Sequence, residues 1–236
     1  MTPCVINFAK SGWYLSGQAR LMHSLRRVGF QGDILGWNDE ASVGAPPHAE
    51  VPYAFKAAAF NTAYKMGARL ILWCDAAVWA IRSVDPVFAH IERHGHILFT
   101  GGWNCAQWTG DQCLAAMGVT RDQAEAMPMY IAGCFGLNLE KPRSREFLNQ
   151  LAKLSDAEHM LGSWTNQNKK VSNDPRCLGH RHDQSVGSIL ACQLGMEHII
   201  PHETYFQYFL NHPFNYGGEN NMTGIKDSIA LLCQGM

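Results

Sequence analysis

The sequence is short of charge. Charged residues make up 17% of its 236 residues, and 19 basic residues nearly balance 20 acidic ones. A nucleic-acid binder needs an excess of basic residues against phosphates, so the net charge of −1 disfavours that class. Disorder is disfavoured as well, because 47% of the residues are hydrophobic and the net charge is small. A surface poor in charge suits neutral polar ligands such as sugars.

Long apolar runs and paired cysteines are also missing. The runs around Leu70–Cys74 and Met129–Leu139 are far shorter than the ~20 residues that span a bilayer. The N-terminal residues lack the basic and apolar regions of a signal peptide. The eight cysteines form no C-x-x-C pair, which disfavours a zinc knuckle or a thioredoxin-type site. We therefore expect reduced thiols, no transmembrane segment and a cytoplasmic location.

Strand and helix patterns alternate along the chain, which predicts an α/β fold with a mostly parallel central sheet flanked by helices. A single domain is expected over residues 1–236. Leu70–Cys74 is apolar throughout, which is typical of an interior strand buried on both faces. Ser16 is expected to cap the first helix, and residues 39–52 and 101–112 are expected to be loops.

Two segments fall outside this alternation. Residues 163–181 form a long polar stretch without periodicity, and a loop of this length inside a domain is usually functional or mobile. We expect it to be a flexible loop that closes over a bound ligand. Residues 201–236 are rich in Asn, Gly and aromatic residues and are expected to form a C-terminal extension.

Asp75 is the first candidate site residue. It directly follows the strand Leu70–Cys74, and ligands of open α/β sheets bind beyond the carboxyl ends of the strands. A carboxylate at this position can hold a divalent cation that in turn binds a diphosphate. The alternative is an Asp that only caps the following turn.

His182 and Asp183 form the second candidate. Asp183 opens an amphipathic helix, where an N-cap Asp stabilises the protein by ~1 kcal/mol without any further function. His180 and Arg181 precede them, and such a cluster could bind an anion or tune a general base. A structural cap and a catalytic carboxylate both remain open.

Residues Gln107, Trp108, Thr109 and Asp111 form the third candidate. The Trp ring could stack on a sugar or a base while the polar groups bind hydroxyls. The alternative is a surface loop held by a buried Trp.

Five residues elsewhere are weaker candidates. Lys56 could add positive charge to a phosphate site, although a Lys early in a helix is usually solvated. Gly133 and Gly136 could mark close approach of the backbone to a ligand or only a bulge. His202 and His212 are possible metal ligands.

In combination these segments resemble a known family. The order of PYAFKAAAF, LILWCDAAV, QWTGD, YIAGCFGLN and HRHDQSVGSILA resembles the GT-A type nucleotide-diphospho-sugar transferases. More narrowly, it is similar to predicted bacterial and viral glycosyltransferases with Q-W-T and R-H-D-Q-S segments. The likeness covers roughly residues 4–200. It implies one Rossmann-like domain that moves a sugar from a nucleotide-sugar donor to a hydroxyl of a glycan or polysaccharide acceptor.

The resemblance also implies roles for particular residues. The nucleotide would lie against the first strand and the 9–14 loop, and Asp75 would hold Mn²⁺ or Mg²⁺ where the family has its D-x-D segment. Asp183 and His182 would be catalytic. With the candidates above, the expected donor- and acceptor-binding residues are Ala9, Tyr14, Lys56, Gln107, Trp108, Thr109, Asp111, Ala132, Gly133 and Gln184.

One position departs from the family pattern. Ala77 stands where D-x-D needs its second carboxylate, so a metal would need a further ligand from Asp183, His202 or His212. The leading prediction is a glycosyltransferase. A non-catalytic module that binds a sugar nucleotide or a glycan is the alternative that the missing carboxylate favours. A metal-dependent hydrolase that uses the histidines is a third possibility.

Overall fold

A computed structural model describes residues 1–196, 198–209 and 225–234. The strands are β1 (Pro3–Phe8), β2 (Asp33–Trp37), β3 (Leu70–Cys74), β4 (Val78–Ala80), β5 (His96–Asn104), β6 (Pro128–Asn138), β7 (Ile199–Pro201), β8 (Phe206–Phe209) and β9 (Leu231–Gln234). The helices are α1 (Trp13–Arg27), α2 (Glu40–Val43), α3 (Phe55–Lys65), α4 (Asp85–His94), α5 (Cys105–Trp108), α6 (Asp111–Ala116), α7 (Arg121–Glu125), α8 (Pro142–Lys153), α9 (Ala157–Met160) and α10 (Asp183–Gln193). Within these residues, no helix combines the length and the hydropathy that a membrane crossing requires.

The central sheet has six strands in the order β2-β1-β3-β6-β5-β7. β1 pairs in parallel with β2 and β3, and β5 pairs in parallel with β7. β6 runs antiparallel to both of its neighbours, β3 and β5, so the other five strands of this sheet share one direction. The predicted mostly parallel sheet with an interior strand at Leu70–Cys74 is confirmed. The carboxyl ends of β1 and β3 therefore meet at one edge, where ligands bind in such sheets.

Both faces of the sheet are covered, as the apolar strands predict. Alternate residues of β1 point to opposite sides: Ile6 belongs to an apolar cluster with residues of α3, α8 and α10, whereas Val5 belongs to a second cluster with residues of α1 and α4. In β3, Trp73 and Leu72 divide in the same way. Burying one large apolar side chain stabilises a protein by ~1.5–3 kcal/mol, and these two layers position the carboxyl edge of the sheet.

Three local predictions are wrong. α1 begins at Trp13 with Gly12 as its cap, so Ser16 lies inside the helix. The expected loop 39–52 contains α2, which Asp39 caps by accepting a hydrogen bond from the backbone N–H of Ala41. The expected loop 101–112 contains the end of β5 and the helix α5, because Asn104 and Gln107 form a reciprocal capping box.

The described part of the C-terminal segment adds a second, smaller sheet. β9 pairs antiparallel with β4 and in parallel with β8, which gives the order β4-β9-β8. Since β4 closely follows Asp75 in the chain, this sheet supports the turn after β3. The predicted C-terminal extension thus contributes strands to the support of the same edge.

A cluster of histidines at the other end of the molecule predicts acid sensitivity. His96 is buried at the start of β5, and its pKa is lowered to about 4. Burial is the largest cause, and the nearby groups of His198, His90, His94 and Arg143 add to it. The folded state therefore binds fewer protons than the unfolded chain below pH 6.5, so stability falls as the pH drops from 6.5 towards 4. A pKa shift of this size lowers the free energy of unfolding by on the order of 2 kcal/mol at pH 4.5 relative to neutral pH.

Urea unfolding at pH 7 and pH 4.5 measures this effect. We expect His96→Gln to lose less stability than the wild type between these two pH values. The control is His23→Gln on the exposed side of α1, which should follow the wild type. An equal loss in His96→Gln would show that other groups cause the acid sensitivity.

Candidate active site

A buried lysine joins two carboxylates at the carboxyl edge of the sheet. Lys56 lies in the first turn of α3, Asp75 follows β3, and Asp183 is the first residue of α10. The Lys56 Nζ lies 3.0 Å from Asp183 Oδ2 and 3.3 Å from Asp75 Oδ1. It also donates to the carbonyl of Ala132 at 2.9 Å. We call these three charged residues the Lys56 cluster. The ammonium group, which has three N–H donors, thus contacts two carboxylates and one carbonyl.

Burial and charge act in opposite directions on the Lys56 cluster. Lys56 is 3% exposed and Asp183 is 6% exposed. Burial alone would lower the pKa of Lys56, but the carboxylates of Asp183 and Asp75 outweigh it and raise that pKa. Burial raises the pKa of Asp183, and the ammonium of Lys56 opposes this shift. Two carboxylates and one ammonium leave one net negative charge at this position.

The two oxygens of Asp75 have different surroundings. Oδ1 accepts a hydrogen bond from the indole Nε1 of Trp73 at 2.7 Å in addition to its contact with Lys56. A Cβ at Gly133 would lie 3.3 Å from Oδ2, so the glycine leaves space beside that oxygen. The carboxylate is one-third exposed. Oδ2 is therefore the oxygen that can meet a cation or a ligand.

A complete metal site is not found in the described part of the chain. There, no group of three His, Cys, Asp or Glu side chains could hold a metal ion. His202 lies on a short 3-10 turn, and its Nδ1 accepts from the backbone N–H of Tyr208 at 3.4 Å. His212 lies outside the described residues. The fit to a divalent cation is thus limited to one carboxylate oxygen of Asp75, and a ligand would have to supply the remaining oxygens.

His182 occupies the N-cap position that the sequence assigned to Asp183. Its φ of 48° and ψ of −120° are rare for a residue other than glycine, and such strain often accompanies a functional position. The Nδ1–H donates to the carbonyl of Met160 at 2.7 Å, which leaves Nε2 as the acceptor nitrogen. Burial lowers the pKa of His182, the hydrogen bond to Met160 opposes this shift, and the charges of Arg181 and Lys56 lower the pKa further. The ring is therefore neutral at pH 7.

Aromatic rings enclose the Lys56 cluster. The Lys56 Nζ lies 5.1 Å from the ring centroid of Tyr53 and 5.4 Å from that of Trp73, within the range of cation–π attraction. Tyr53 also contacts the ring of His182 at 5.5 Å and has a φ of 62°. The rings contribute to the burial of Lys56, and electrostatic interactions are stronger where water is excluded.

A cavity of about 290 Å³ opens beside Asp75. Ala9, Tyr14 and the exposed His48 line it, and the predicted contact of Ala9 and Tyr14 with a donor stays a prediction. Further lining comes from rings, polar groups and two alanines, namely Phe8, Lys10, Ser11, Glu40, Tyr53, Phe55, Asp75, Ala76 and Ala77. Phe8 and Phe55 stack at 4.3 Å. The buried Glu40 pairs with the exposed Lys10 at 2.8 Å. The cavity thus combines flat apolar walls with a few charged groups, which is typical of small-molecule sites.

The segment 107–111 is held by hydrogen bonds within the protein. The Gln107 side chain accepts from the backbone N–H of Asn104 in the capping box, and Thr109 is fully buried. Asp111 pairs with Arg121 at 2.6 Å and accepts from the hydroxyl of Ser172 at 2.7 Å. Their proposed contacts with donor or acceptor stay predictions. Trp108 differs, because its ring stacks on the guanidinium of Arg181.

The remaining predicted residues lie around the Lys56 cluster. Ala132 and Gly133 belong to β6 beside β3, and the Gly133 carbonyl accepts from the backbone N–H of Asp75 at 2.8 Å. Gln184 follows Asp183 on α10 and is half-buried. Gly136 lies further along β6, opposite Leu72.

The segment 163–181 packs against the same site. Its Asn166 side chain donates to the carbonyls of Ser172 and Cys177 at 2.9 and 3.1 Å, and Trp164 contacts the His182 ring at 5.3 Å. Its predicted closure over a donor stays a prediction.

Comparison with known proteins identifies the fold. No known protein family matches the sequence, and no curated protein matches it either. Among solved structures, mouse xyloside xylosyltransferase 1 in its apo form aligns with a TM-score of 0.51 at 12% identity and covers 98% of this chain and 97% of its own. The galactosyltransferase LgtC in complex with donor and acceptor sugar analogs aligns with a TM-score of 0.52 at 12% identity, over 99% of this chain and 87% of its own. The chain has the GT-A fold.

Another match concerns a longer protein. The bifunctional glycosyltransferase WbbM aligns over 98% of this chain and 45% of its own length, with a TM-score of 0.52 at 11% identity. At these identities the comparisons establish the GT-A fold, and the activity has to be argued from the site.

Sequence reasoning missed several residues of the site. Tyr53, Phe55 and Glu40 lie in or beside the stretch that it treated as a loop. Tyr53 has an unusual φ that no sequence pattern reveals. The pair of aromatic residues around the start of α3 was the available signal, because exposed loops seldom carry two large rings so close together.

Proposed function

We propose that this protein is a glycosyltransferase that moves a sugar from a nucleotide-sugar donor to a hydroxyl group of a glycan acceptor. The observation that carries the proposal is the Lys56 cluster, which joins Asp75 and Asp183 beside a cavity lined by aromatic rings. The GT-A fold places this arrangement at the carboxyl edge of the sheet, where nucleotides bind in related architectures.

The cavity suits the nucleotide part of the donor. Tyr14 and the stacked pair of Phe8 and Phe55 offer flat surfaces to a base. The carboxylate of Glu40 can accept hydrogen bonds from base N–H or ribose hydroxyl groups. Asp75 lies at the same cavity, so the diphosphate would follow towards the Lys56 cluster.

The chemistry would take place between the diphosphate and Asp183. The acceptor oxygen forms a bond to the anomeric carbon of the sugar, the bond from that carbon to the diphosphate breaks, and the hydroxyl proton moves to a base. Asp183 is proposed as that base or as a ligand of a sugar hydroxyl. The neutral His182, fixed through Met160, is proposed to orient the acceptor beside it. The ammonium of Lys56 favours the charged form of the Asp183 carboxylate and opposes the rise in its pKa that burial causes.

Asp75 Oδ2 is the proposed protein ligand of a divalent cation, Mn²⁺ or Mg²⁺. When bound, the cation would neutralise charge on the leaving diphosphate. Charge supports this role, since the Lys56 cluster is net negative with both carboxylates ionised and its ammonium already contacts both of them and the Ala132 carbonyl. One carboxylate oxygen can suffice only when the donor supplies further ligands.

This role predicts that metal and donor bind together. Calorimetry with UDP-sugars and related donors should show at least ~10-fold weaker binding in EDTA than in Mn²⁺, and Mn²⁺ alone should bind weakly. Asp75→Asn should remove the metal-dependent part of donor affinity and change the melting temperature little, because the amide oxygen still accepts from Trp73. The control is Asp85→Asn on the exposed first turn of α4. Equal donor binding in EDTA and in Asp75→Asn would contradict the metal role.

The proposed activity itself is tested with a panel of nucleotide sugars. Thermal shift with and without Mn²⁺ identifies the donor, and mass spectrometry of products formed with glycan acceptors detects transfer. Transfer of the sugar supports the proposal. Stabilisation by a donor without any product would favour the non-catalytic binding module. The presence of Ala77 at the second carboxylate position of the D-x-D pattern is the feature that supports this alternative.

The state of the cysteines supports a cytoplasmic location. All eight are free thiols, and seven of them are buried. Cys74 and Cys134 face each other on β3 and β6 without forming a disulfide. Free thiols are typical of reducing compartments, and we propose that the transfer takes place there.

A further inference from the structure

A stacked arginine lies next to the Lys56 cluster. The guanidinium carbon of Arg181 lies 3.9 Å from the ring centroid of Trp108 and 4.4 Å from that of Trp164. Its backbone N–H donates to the carbonyl of Trp108 at 3.1 Å and to the hydroxyl of Ser185 at 2.9 Å. We call the side chains of Arg181, Trp108 and Trp164 the Arg181 sandwich. Both the backbone and the guanidinium plane are therefore held in place.

The N–H groups of this guanidinium have no acceptor in the described part of the chain. Two other arginines show the contrast: Arg121 pairs with Asp111 at 2.6 Å, and Arg176 pairs with Asp174 at 2.8 Å. In the Arg181 sandwich two indoles pack close to the guanidinium carbon, and an indole N–H is a donor rather than an acceptor, so the guanidinium donors remain for a ligand. A planar fork of N–H donors matches the two oxygens of a carboxylate or a phosphate.

The position of the Arg181 sandwich indicates which substrate meets it. Arg181 precedes the proposed base Asp183 by two residues in the chain, and Trp164 contacts both His182 and Tyr53, at 5.3 and 6.3 Å. Trp164 is 47% exposed, so the sandwich borders solvent, and its indole offers a flat face on which a sugar can stack. A molecule bound there can place a hydroxyl near Asp183.

We propose that the acceptor is an acidic glycan whose carboxylate or phosphate group binds the edge of the Arg181 guanidinium. This inference rests on the proposed function and names the substrate class of that site. Arg181 would set specificity for the acceptor, while the indoles of Trp108 and Trp164 keep the guanidinium oriented without competing for its N–H donors.

The test compares binding of two matched sugars. Calorimetry on the full chain uses a disaccharide that contains glucuronic acid and its carboxyl-reduced neutral counterpart. The wild type should bind the acidic disaccharide at least ~10-fold more tightly. Arg181→Met should lose this preference, because it keeps the apolar contact with the indoles and removes the donors. Arg181→Lys should keep only part of it, since an ammonium lacks the planar fork.

The controls separate the possible failures. Arg145→Gln on the exposed side of α8 should keep the full preference, and melting temperatures check the folding of each variant. UDP binding should be unchanged in Arg181→Met. If UDP binding weakens ~10-fold instead, the guanidinium serves the donor diphosphate and the inference is wrong. An unchanged preference in both Arg181 variants also overturns it. Because this readout needs no catalysis, absence of sugar transfer in the donor panel would count against the proposed function alone.

Discussion

Asp183→Asn is expected to lower the rate of sugar transfer by ~100-fold or more with little loss of stability. The amide cannot take a proton from the acceptor hydroxyl, and general bases contribute ~10²–10⁴-fold to rates. The amide oxygen can still accept a hydrogen bond from Lys56, which now lies 3.0 Å from Asp183 Oδ2. The substitution also removes the net negative charge of the Lys56 cluster, so the protein should fold normally.

Stability of Asp183→Asn does not depend on helix capping. His182 is the N-cap residue of α10, and Asp183 is its first helical residue. Asp183→Ala should lose the same activity and more stability, because Lys56 then keeps one acceptor fewer. Comparing the activity and stability of these two variants separates the role of the Asp183 carboxylate as a base from its role as the partner of Lys56.

Initial rates with the donor identified from the panel, together with urea unfolding, measure both effects. Asp33→Asn is the matched control, since Asp33 is exposed at the start of β2, at the opposite edge of the sheet. It should keep full activity. Near-normal turnover in Asp183→Asn would show that Asp183 is only the structural partner of Lys56, and the proposed base would have to be another group.

The architecture could be predicted from the sequence wherever a residue pattern is compatible with only one type of structure. An apolar run such as Leu70–Cys74 has to be buried on both faces, and the structure places it between β1 and β6. The position of Asp75 at the end of that strand followed directly. The direction of β6 could not be predicted, because the alternation of side chains is the same in parallel and antiparallel strands.

The Lys56 cluster shows where sequence reasoning ended. Lys56, Asp75 and Asp183 were each recognised, but a Lys early in a helix is usually solvated and an Asp at a helix start is usually a cap. Their pairing arises from the sheet order, which brings the end of β3 and the Ala132–Gly133 part of β6 next to the starts of α3 and α10. No spacing in the sequence encodes a contact of that kind. The same holds for Trp164, which meets Tyr53 only through the path of the segment 163–181.

Lys56→Met is expected to destabilise the protein by about 3–5 kcal/mol at pH 7, the usual cost of leaving a buried charge without its partner. That is a large part of a typical stability of about 5–15 kcal/mol. Met fills a similar volume and keeps the contacts with Tyr53 and Trp73, so lost packing contributes little. The cost comes from Asp183, which is 6% exposed and faces Asp75 across the position of the ammonium.

Two further measurements identify that origin. In Lys56→Met/Asp183→Asn the uncompensated charge is gone, so the double variant should be more stable than Lys56→Met alone. In Lys56→Met the pKa of Asp183 should rise above its already raised value. The folded state then binds more protons than the unfolded chain, and the deficit relative to the wild type should shrink as the pH falls from 7 to 5.

Urea unfolding of the single and double variants at both pH values provides the test, with Lys10→Met as the control. Lys10 also pairs with a buried carboxylate, that of Glu40 at 2.8 Å, but its own side chain is 60% exposed. Water replaces its ammonium when it is removed, so Lys10→Met should cost about 1 kcal/mol or less. If the two lysine variants lose equal stability, or if the double variant is less stable than Lys56→Met, the contribution of Lys56 is packing rather than charge. The charge-balancing role that the proposed mechanism gives to Lys56 would then be wrong.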